Sequence, residues 1–282
     1  MTIDLGIDVL HHARRNNKGL VAAVAYDTVG LEAIVIAAER ADAPIILQVG
    51  SSAFGRFNRN LLVAAAKAAA ESSLAQVGLH LDHAHSLDEI RRALDDGYSS
   101  VMIDGSKLPF EDNVNLTAAA VELGHGYGVW VEGELGRLSG DEDRSERSES
   151  GSQLTSPEEA ARFVSETGVD ALAVCIGNVH GRTNVPVSLD FGLLSRIANA
   201  VEVPLVLHGS SGISKHDLVR CAQNGVAKFN INADLRTRYI ETFVAQASDP
   251  STLDDLSTVL VRVRDELVGI LDELIVALRS DL

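Results

Sequence analysis

Short, nearly uninterrupted apolar runs recur along this chain, and between them the apolar positions fall at helical spacing. The runs are Leu20–Ala25, Pro44–Val49, Val77–Asp82, Ser100–Asp104, Val129–Glu134, Asp170–Ile176, Pro204–His208 and Val226–Asn230. A strand that is apolar at nearly every position must be covered on both faces, which is the situation inside a parallel sheet. The intervening pattern predicts helices over Leu31–Arg40, Asn60–Ser73, Leu87–Asp96, Pro109 to about Tyr127, Thr155 to about Gly168, Leu189–Ala200, Ser214–Asn224 and Asp234–Gln246. Thr155-Ser-Pro-Glu158 is a helix start with Pro157 near the first turn, and Asn224-Gly225 is a stop signal. Eight strand–helix units in 282 residues fit a closed (β/α)8 TIM barrel, which typically takes about 250 residues. The expected class is therefore α/β, one TIM-barrel domain over residues 1–282 with additional N-terminal and C-terminal helices. The leading helix is expected over Asp4–Asn17, and the C-terminal extension over about 252–282. That extension exceeds what the barrel needs. It either caps the barrel or packs on a neighbouring subunit, which makes a homodimer or homotetramer the expected assembly.

One stretch breaks the alternation. Residues 136–153 are rich in Ser, Asp, Glu and Arg. A long polar loop after a barrel strand reads either as a disordered insertion or as a mobile lid over an active site. The short Gly/Ser-rich stretch after Val49 reads as a plain loop.

The ionisable residues within the apolar runs collect at one end of them. Asp82 and His83 close the third run, Asp104 the fourth, and Glu132 and Glu134 lie at the end of the fifth; His180 follows the sixth, His208 ends the seventh, Asn230 ends the eighth and Asn232 lies just beyond. The C-terminal ends of barrel strands are where such enzymes carry their chemistry. His83, His180 and His208 form a three-imidazole set, the donor set of a catalytic zinc site with one open position. Asp104 and Glu134 either orient those ligands, hold a cation in a second position, or form ordinary ion pairs. His85 makes a His-x-His pair with His83 and leaves open a metal-dependent hydrolase. The turns Gly177-Asn-Val-His-Gly181 and His208-Gly-Ser-Ser-Gly212 let backbone N–H groups approach an anion, with Ser210, Ser211 and Asn230 as further donors.

Composition narrows the partners. A net charge of −16 argues against nucleic acid, since phosphate backbones need a basic face, and it requires an anionic substrate to be captured by local donors. No apolar run reaches membrane-span length and no N-terminal signal is visible, so no membrane partner is expected. Cys175 and Cys221 are far apart and read as buried thiols, consistent with a reducing cytoplasm.

Taken together, Leu-His-Leu-Asp82-His83, Val-Met-Ile-Asp104-Gly-Ser106, Val-Glu132-Gly-Glu134-Leu-Gly, Gly177-Asn-Val-His180-Gly181, Leu-His208-Gly-Ser-Ser-Gly and Asn230-Ile-Asn232 resemble, in order and spacing, the class II fructose/tagatose-bisphosphate aldolases. The resemblance spans nearly the whole barrel. It implies catalytic Zn2+ on His83, His180 and His208, with Asp104 and Glu134 as a second metal site (a divalent ion, Na+ or K+) or as support. It implies Asp82 as the acid/base at the aldehyde oxygen, and Glu142, in the 136–153 loop, as the acid/base at the dihydroxyacetone phosphate carbon. Gly181, Gly209, Ser210, Ser211, Asn230, Asn232 and Ala233 would form the phosphate clamp. The expected reaction is reversible cleavage of a phosphorylated ketose, with a small phosphorylated sugar as the binding partner. A non-catalytic sugar-phosphate-binding homologue is the remaining alternative. The chain departs from the family pattern at Tyr26-Asp27-Thr28-Val29, where Phe-Asn-x-Asn is usual. It departs again at Arg182, at Ala233 in place of a nearby threonine, and at Ser251, where many members have arginine. These departures point to a divergent member with a different aldehyde partner.

Overall fold

The apolar runs become eight parallel strands because their two faces meet two different cores. The computed structural model describes residues 5–138, 152–181, 187–252 and 255–279. Strands β1 (Leu20–Val24), β2 (Ile45–Gln48), β3 (Val77–Ala84), β4 (Ser100–Ile103), β5 (Trp130–Leu135), β6 (Ala171–Val174), β7 (Leu205–Leu207) and β8 (Val226–Ile231) close into a barrel in sequence order. Helix α1 (Ile7–Arg15) precedes the strands; α2 (Thr28–Ala41), α3 (Ser51–Phe54), α4 (Arg59–Ser72), α5 (Leu87–Asp95), α6 (Phe110–Gly126), α7 (Pro157–Thr167), α8 (Phe191–Ala200) and α9 (Lys215–Ala222) interleave with them; and α10 (Ala233–Ala247) follows β8. The last, α11 (Leu256–Arg279), ends the described chain. The expected elements are present, most with ends displaced by no more than two residues; α1 begins three residues later and α2 three residues earlier than expected, α11 begins four residues later, and α3 is a short helix where a plain loop was expected. Asp27, Asn58, Ser86, Ser156, Asp190 and Ser214 each accept a backbone N–H at the start of the helix that follows them.

Outward strand residues such as Leu79, Leu81, Val101, Leu172 and Phe229 pack under the helices as the larger core. Inward residues Ala22, Ile46, Trp130, Ala173 and Val206 form a smaller core, which Leu5, Leu10 and Ala13 close at the barrel's N-terminal end. The Trp130 indole donates to the Leu5 carbonyl at 2.9 Å, and the Arg14 guanidinium donates to the carbonyls of Ala198, Val201 and Val203. The leading helix is thus a plug for the floor of the barrel.

The C-terminal helix is not held in reserve for a partner along its apolar stripe. Its Val263, Leu267, Val268, Leu271 and Ile275 are buried, and it packs on α2 and α10 of the same chain. Leu271 is fully buried, so Leu271→Ala should lower the unfolding free energy by about 2–5 kcal/mol. Urea denaturation, read as a midpoint change at constant slope, measures this.

Two bulges break the inward–outward alternation. Along β3–β4, Leu81 pairs with Val101 but Ala84 pairs with Ile103, so Asp82 and His83 together oppose Met102. His83 takes a left-handed backbone with φ 50°. Strict alternation would turn His83 under the helices; the extra residue lets both Asp82 and His83 address the barrel mouth while Ala84 returns to the outer core. Along β7–β8, Leu205 pairs with Val226 and Val206 with Lys228. Ala227 lies in the inner core, Lys228 is bonded to an interior carboxylate, and Phe229 faces out.

Glu142, Arg182 and nearly all of the expected lid lie outside the described residues. The base of that loop is closed by reciprocal backbone bonds between Arg137 and Gln153, at 2.9 and 2.8 Å.

Candidate active site

The ends of β3 and β7 and the loop after β6 deliver three imidazoles to one spot. Ring centroids lie 4.8 Å apart for His83 and His208, 5.2 Å for His83 and His180, and 5.9 Å for His180 and His208. One ring nitrogen from each falls within 4.8 Å of the others. His83 Nε2 and His208 Nδ1 face each other at 3.0 Å. Each of these two rings is held from behind by a carboxylate: His83 Nδ1 by Asp104 Oδ2 at 3.1 Å, and His208 Nε2 by Glu132 Oε1 at 2.7 Å. A carboxylate on one imidazole nitrogen fixes the ring and its tautomer and leaves the other nitrogen for a metal.

The electrostatics favour the neutral ring at two of the three positions. Burial pushes His180 and His208 below the ordinary imidazole value, towards the neutral form that donates a lone pair. Burial also opposes charge on His83, but the Asp82 carboxylate and the Asp104 hydrogen bond hold it well above that value. Burial disfavours the ionised form of Asp104, yet its bonds from His83 and Ser106 keep it well below the usual carboxylate range. Glu134 is pushed the other way, by burial and then by the charge of Asp104. Its Oε2 is buried and has no hydrogen-bond partner among the described residues. His83, Asp104 and Glu134 form a second group of potential ligands within 4.8 Å. Asp104 Oδ1 already accepts from the Ser106 N–H and hydroxyl, and its Oδ2 meets His83, so both of its oxygens are engaged in this arrangement.

Asp82 is 3 % exposed at the wall of a cavity of about 300 Å³ that opens between these strand ends. Gln48 donates to its Oδ1 at 3.0 Å and Asn230 at 3.2 Å, while Oδ2 has no such partner among the described residues. The same cavity is lined by His83, Asp104, Glu134, His180 and Asn232. His85 also borders it, but its Nδ1 lies 3.4 Å from the Asp104 carbonyl and it joins neither group of potential ligands.

The expected clamp residues sit around the cavity rather than on it, Asn232 excepted. The Ser210 hydroxyl donates to the Leu207 carbonyl, and the Ser211 hydroxyl accepts from the Asp234 N–H. Gly209 has φ 60°, and a Cβ there would stand 2.0 Å from the Val179 carbonyl oxygen, so only glycine lets these two loops meet. Ala233 is buried at the start of α10, and Gly181 is buried with φ 75°. Asp27, expected to face substrate, has both oxygens engaged in the fold, by the Gly30 N–H and the Tyr239 hydroxyl. It borders a neighbouring, mostly apolar cavity between α2, α10 and α11. Sequence reasoning passed over Gln48 and Lys228. The signal was present in each case, as a lone polar residue inside an apolar run.

These features have counterparts in known proteins. The family model for class II fructose-bisphosphate aldolase matches residues 6–281. The chain belongs to the class II fructose-bisphosphate aldolase family. Among solved structures, the YdjI aldolase of Escherichia coli K12 superposes with a TM-score of 0.87 at 30 % identity, covering 100 % of this chain and 98 % of that one. A putative fructose-1,6-biphosphate aldolase of Coccidioides immitis gives 0.88 at 32 %, covering 97 % and 95 %. A fructose-bisphosphate aldolase of Campylobacter jejuni, at 20 % identity and a TM-score of 0.81 over 98 % and 95 %, shares the fold. As a member of this family the chain is an aldolase, and its substrate class is a small phosphorylated sugar.

Proposed function

We propose that this aldolase cleaves a phosphorylated ketose reversibly to dihydroxyacetone phosphate and an aldehyde, using a zinc ion held by His83, His180 and His208. The observation that carries this reading is the facing pair of ring nitrogens, 3.0 Å apart, each ring backed by its own carboxylate. An all-imidazole donor set favours zinc over the oxygen-seeking cations, and the buried Glu134 oxygen beside it fits a nearby positive charge. When bound there, the ion would supply Lewis-acid stabilisation of negative charge on the ketose oxygen.

The chain's own residues supply the rest. Asp82 gives and takes the proton at the aldehyde oxygen through Oδ2, while Gln48 and Asn230 anchor Oδ1. Glu142 is the matching acid/base at the dihydroxyacetone phosphate carbon. Backbone N–H groups of Gly181 and of the Gly209–Ser211 turn hold the phosphate, with Asn232 at the cavity wall. Both hydrogen-bonding groups of Ser251 turn to Asp249 Oδ1, and Ser251 carries no charge, so this position offers no cation to a distal phosphate. This supports an aldehyde partner other than glyceraldehyde 3-phosphate, although the name of the Coccidioides relative makes fructose bisphosphate the first compound to try.

The test is metal removal with a chelator, followed by add-back of zinc, against a panel of phosphorylated ketoses with dihydroxyacetone phosphate as the assayed product. Full activity after complete removal would sink the metal reading, and no product from any ketose would sink the substrate reading. His85→Ala should leave the zinc content of the purified chain unchanged, because His85 stands outside both potential ligand groups. Loss of zinc in that variant would favour a hydrolase-type site instead.

A further inference from the structure

Directly below the three imidazoles lies a lysine that the proposed chemistry does not use. Lys228 is fully buried, and its Nζ donates to Glu132 Oε2 at 2.8 Å. It does not line the catalytic cavity, so it has no route to a substrate carbonyl. The β8 bulge puts it there; unbroken alternation from the outward Val226 through Ala227 would turn its side chain towards the helices. The two oxygens of Glu132 are divided between two partners: Oε2 takes Lys228, and Oε1 takes His208 Nε2 at 2.7 Å. A competitor stands close by. His80 Nε2 is 3.8 Å from Glu132 Oε2, is buried, and has no hydrogen-bond partner among the described residues, while its Nδ1 is bonded to the Ser100 hydroxyl at 2.8 Å.

We propose that Lys228 is a positioning residue for the metal centre: by holding Glu132 Oε2, it aims Oε1 at His208 Nε2–H and so keeps His208 Nδ1 directed at His83 Nε2. The inference rests on the metal reading of the three imidazoles. A buried carboxylate needs charged or hydrogen-bonding partners at both oxygens. With Lys228 removed, the nearest group able to satisfy Oε2 is His80, and a turn of the carboxylate towards it would release His208. An unconstrained imidazole can carry its proton on either nitrogen, and only one of the two tautomers offers Nδ1 to a metal. A purely structural lysine would stabilise the barrel floor without selecting that tautomer.

The test uses the full chain stripped of metal, titrated with Co2+ and followed by its visible absorption. Lys228→Met should weaken Co2+ binding by about 10–100-fold, the usual consequence of losing such an outer support, and should alter the absorption envelope. In the metal-free wild type, 15N NMR should find the His208 proton on Nε2. If Lys228→Met does not fold, the double variant Glu132→Gln/Lys228→Met removes both charges together. It should fold and still bind Co2+ at least about 10-fold more weakly, because an amide with no lysine to anchor it can present either end to His208. A folded variant with wild-type Co2+ affinity, or a wild-type His208 protonated on Nδ1, would overturn the proposal. Wild-type chain that binds no Co2+ at all would overturn the metal reading and this inference with it.

Discussion

Asp82→Ala is expected to lower kcat for ketose cleavage by about 10²–10⁴-fold while the chain keeps its metal, since that is the usual contribution of a positioned acid/base. The separation of the two effects follows from the geometry. Asp82 precedes His83 in the chain, yet its carboxylate is anchored by Gln48 and Asn230, whereas His83 and His208 are backed by the carboxylates of Asp104 and Glu132; Asn230 Nδ2, also 3.3 Å from both ring nitrogens of His208, stays in place in the variant. Deleting the carboxylate therefore removes a proton carrier and leaves the ligand set intact. Zinc content by elemental analysis and steady-state cleavage rates on the same sample check it. Lost zinc would mean that Asp82 belongs to the metal site. Unchanged turnover would point to a chain that binds sugar phosphate without the proposed chemistry. Asp82→Asn is the companion variant, because it keeps the shape and the acceptor oxygen while losing the proton transfer.

His208→Ala should have the wider effect. It removes one of three imidazoles and should weaken metal binding by more than about 100-fold, exceeding the loss expected from an outer support alone. Activity should fall to background in step with the lost metal. Stability should fall too. His208 is fully buried, and its loss leaves Glu132 Oε1 without its 2.7 Å partner beside an unfilled space. A buried oxygen stripped of its partner costs about 1–3 kcal/mol, before any contribution from the cavity. Metal titration together with urea denaturation separates the two. A variant that loses stability but binds metal as well as wild type would exclude His208 as a ligand.

Both variants act at residues that the chain displays openly, and the reason is physical. An ionisable group within an apolar run is costly to bury without a partner, so Asp82, His83, Asp104, Glu134 and His208 stand out against their strands. Their common position at strand ends then puts them on one face once the barrel closes. The helix boundaries were legible for a similar reason, since Ser86, Ser156 and Ser214 are capping residues whose role is local.

Other features depend on contacts between distant parts of the chain. Asp27 stands at a position where family members present asparagine, and sequence comparison made it a substrate contact. In the fold its carboxylate caps α2 and accepts from Tyr239, which is 212 residues away. The C-terminal helix has an apolar stripe that suits a second subunit equally well, and only the position of α2 decides that the stripe is buried within the chain.

The amino-acid sequence alone determined the eight strand–helix units, the gathering of ionisable residues at one end of the barrel and the three histidines among them, because periodicity and the cost of burying charge act residue by residue. The tertiary structure decided which way His83 and Lys228 point. Regular alternation would send both under the helices, and one extra residue in β3 and one in β8 turn them into the barrel. A bulge arises from the register between two strands, so it is set by pairing across the sheet and leaves no period in the sequence of either strand.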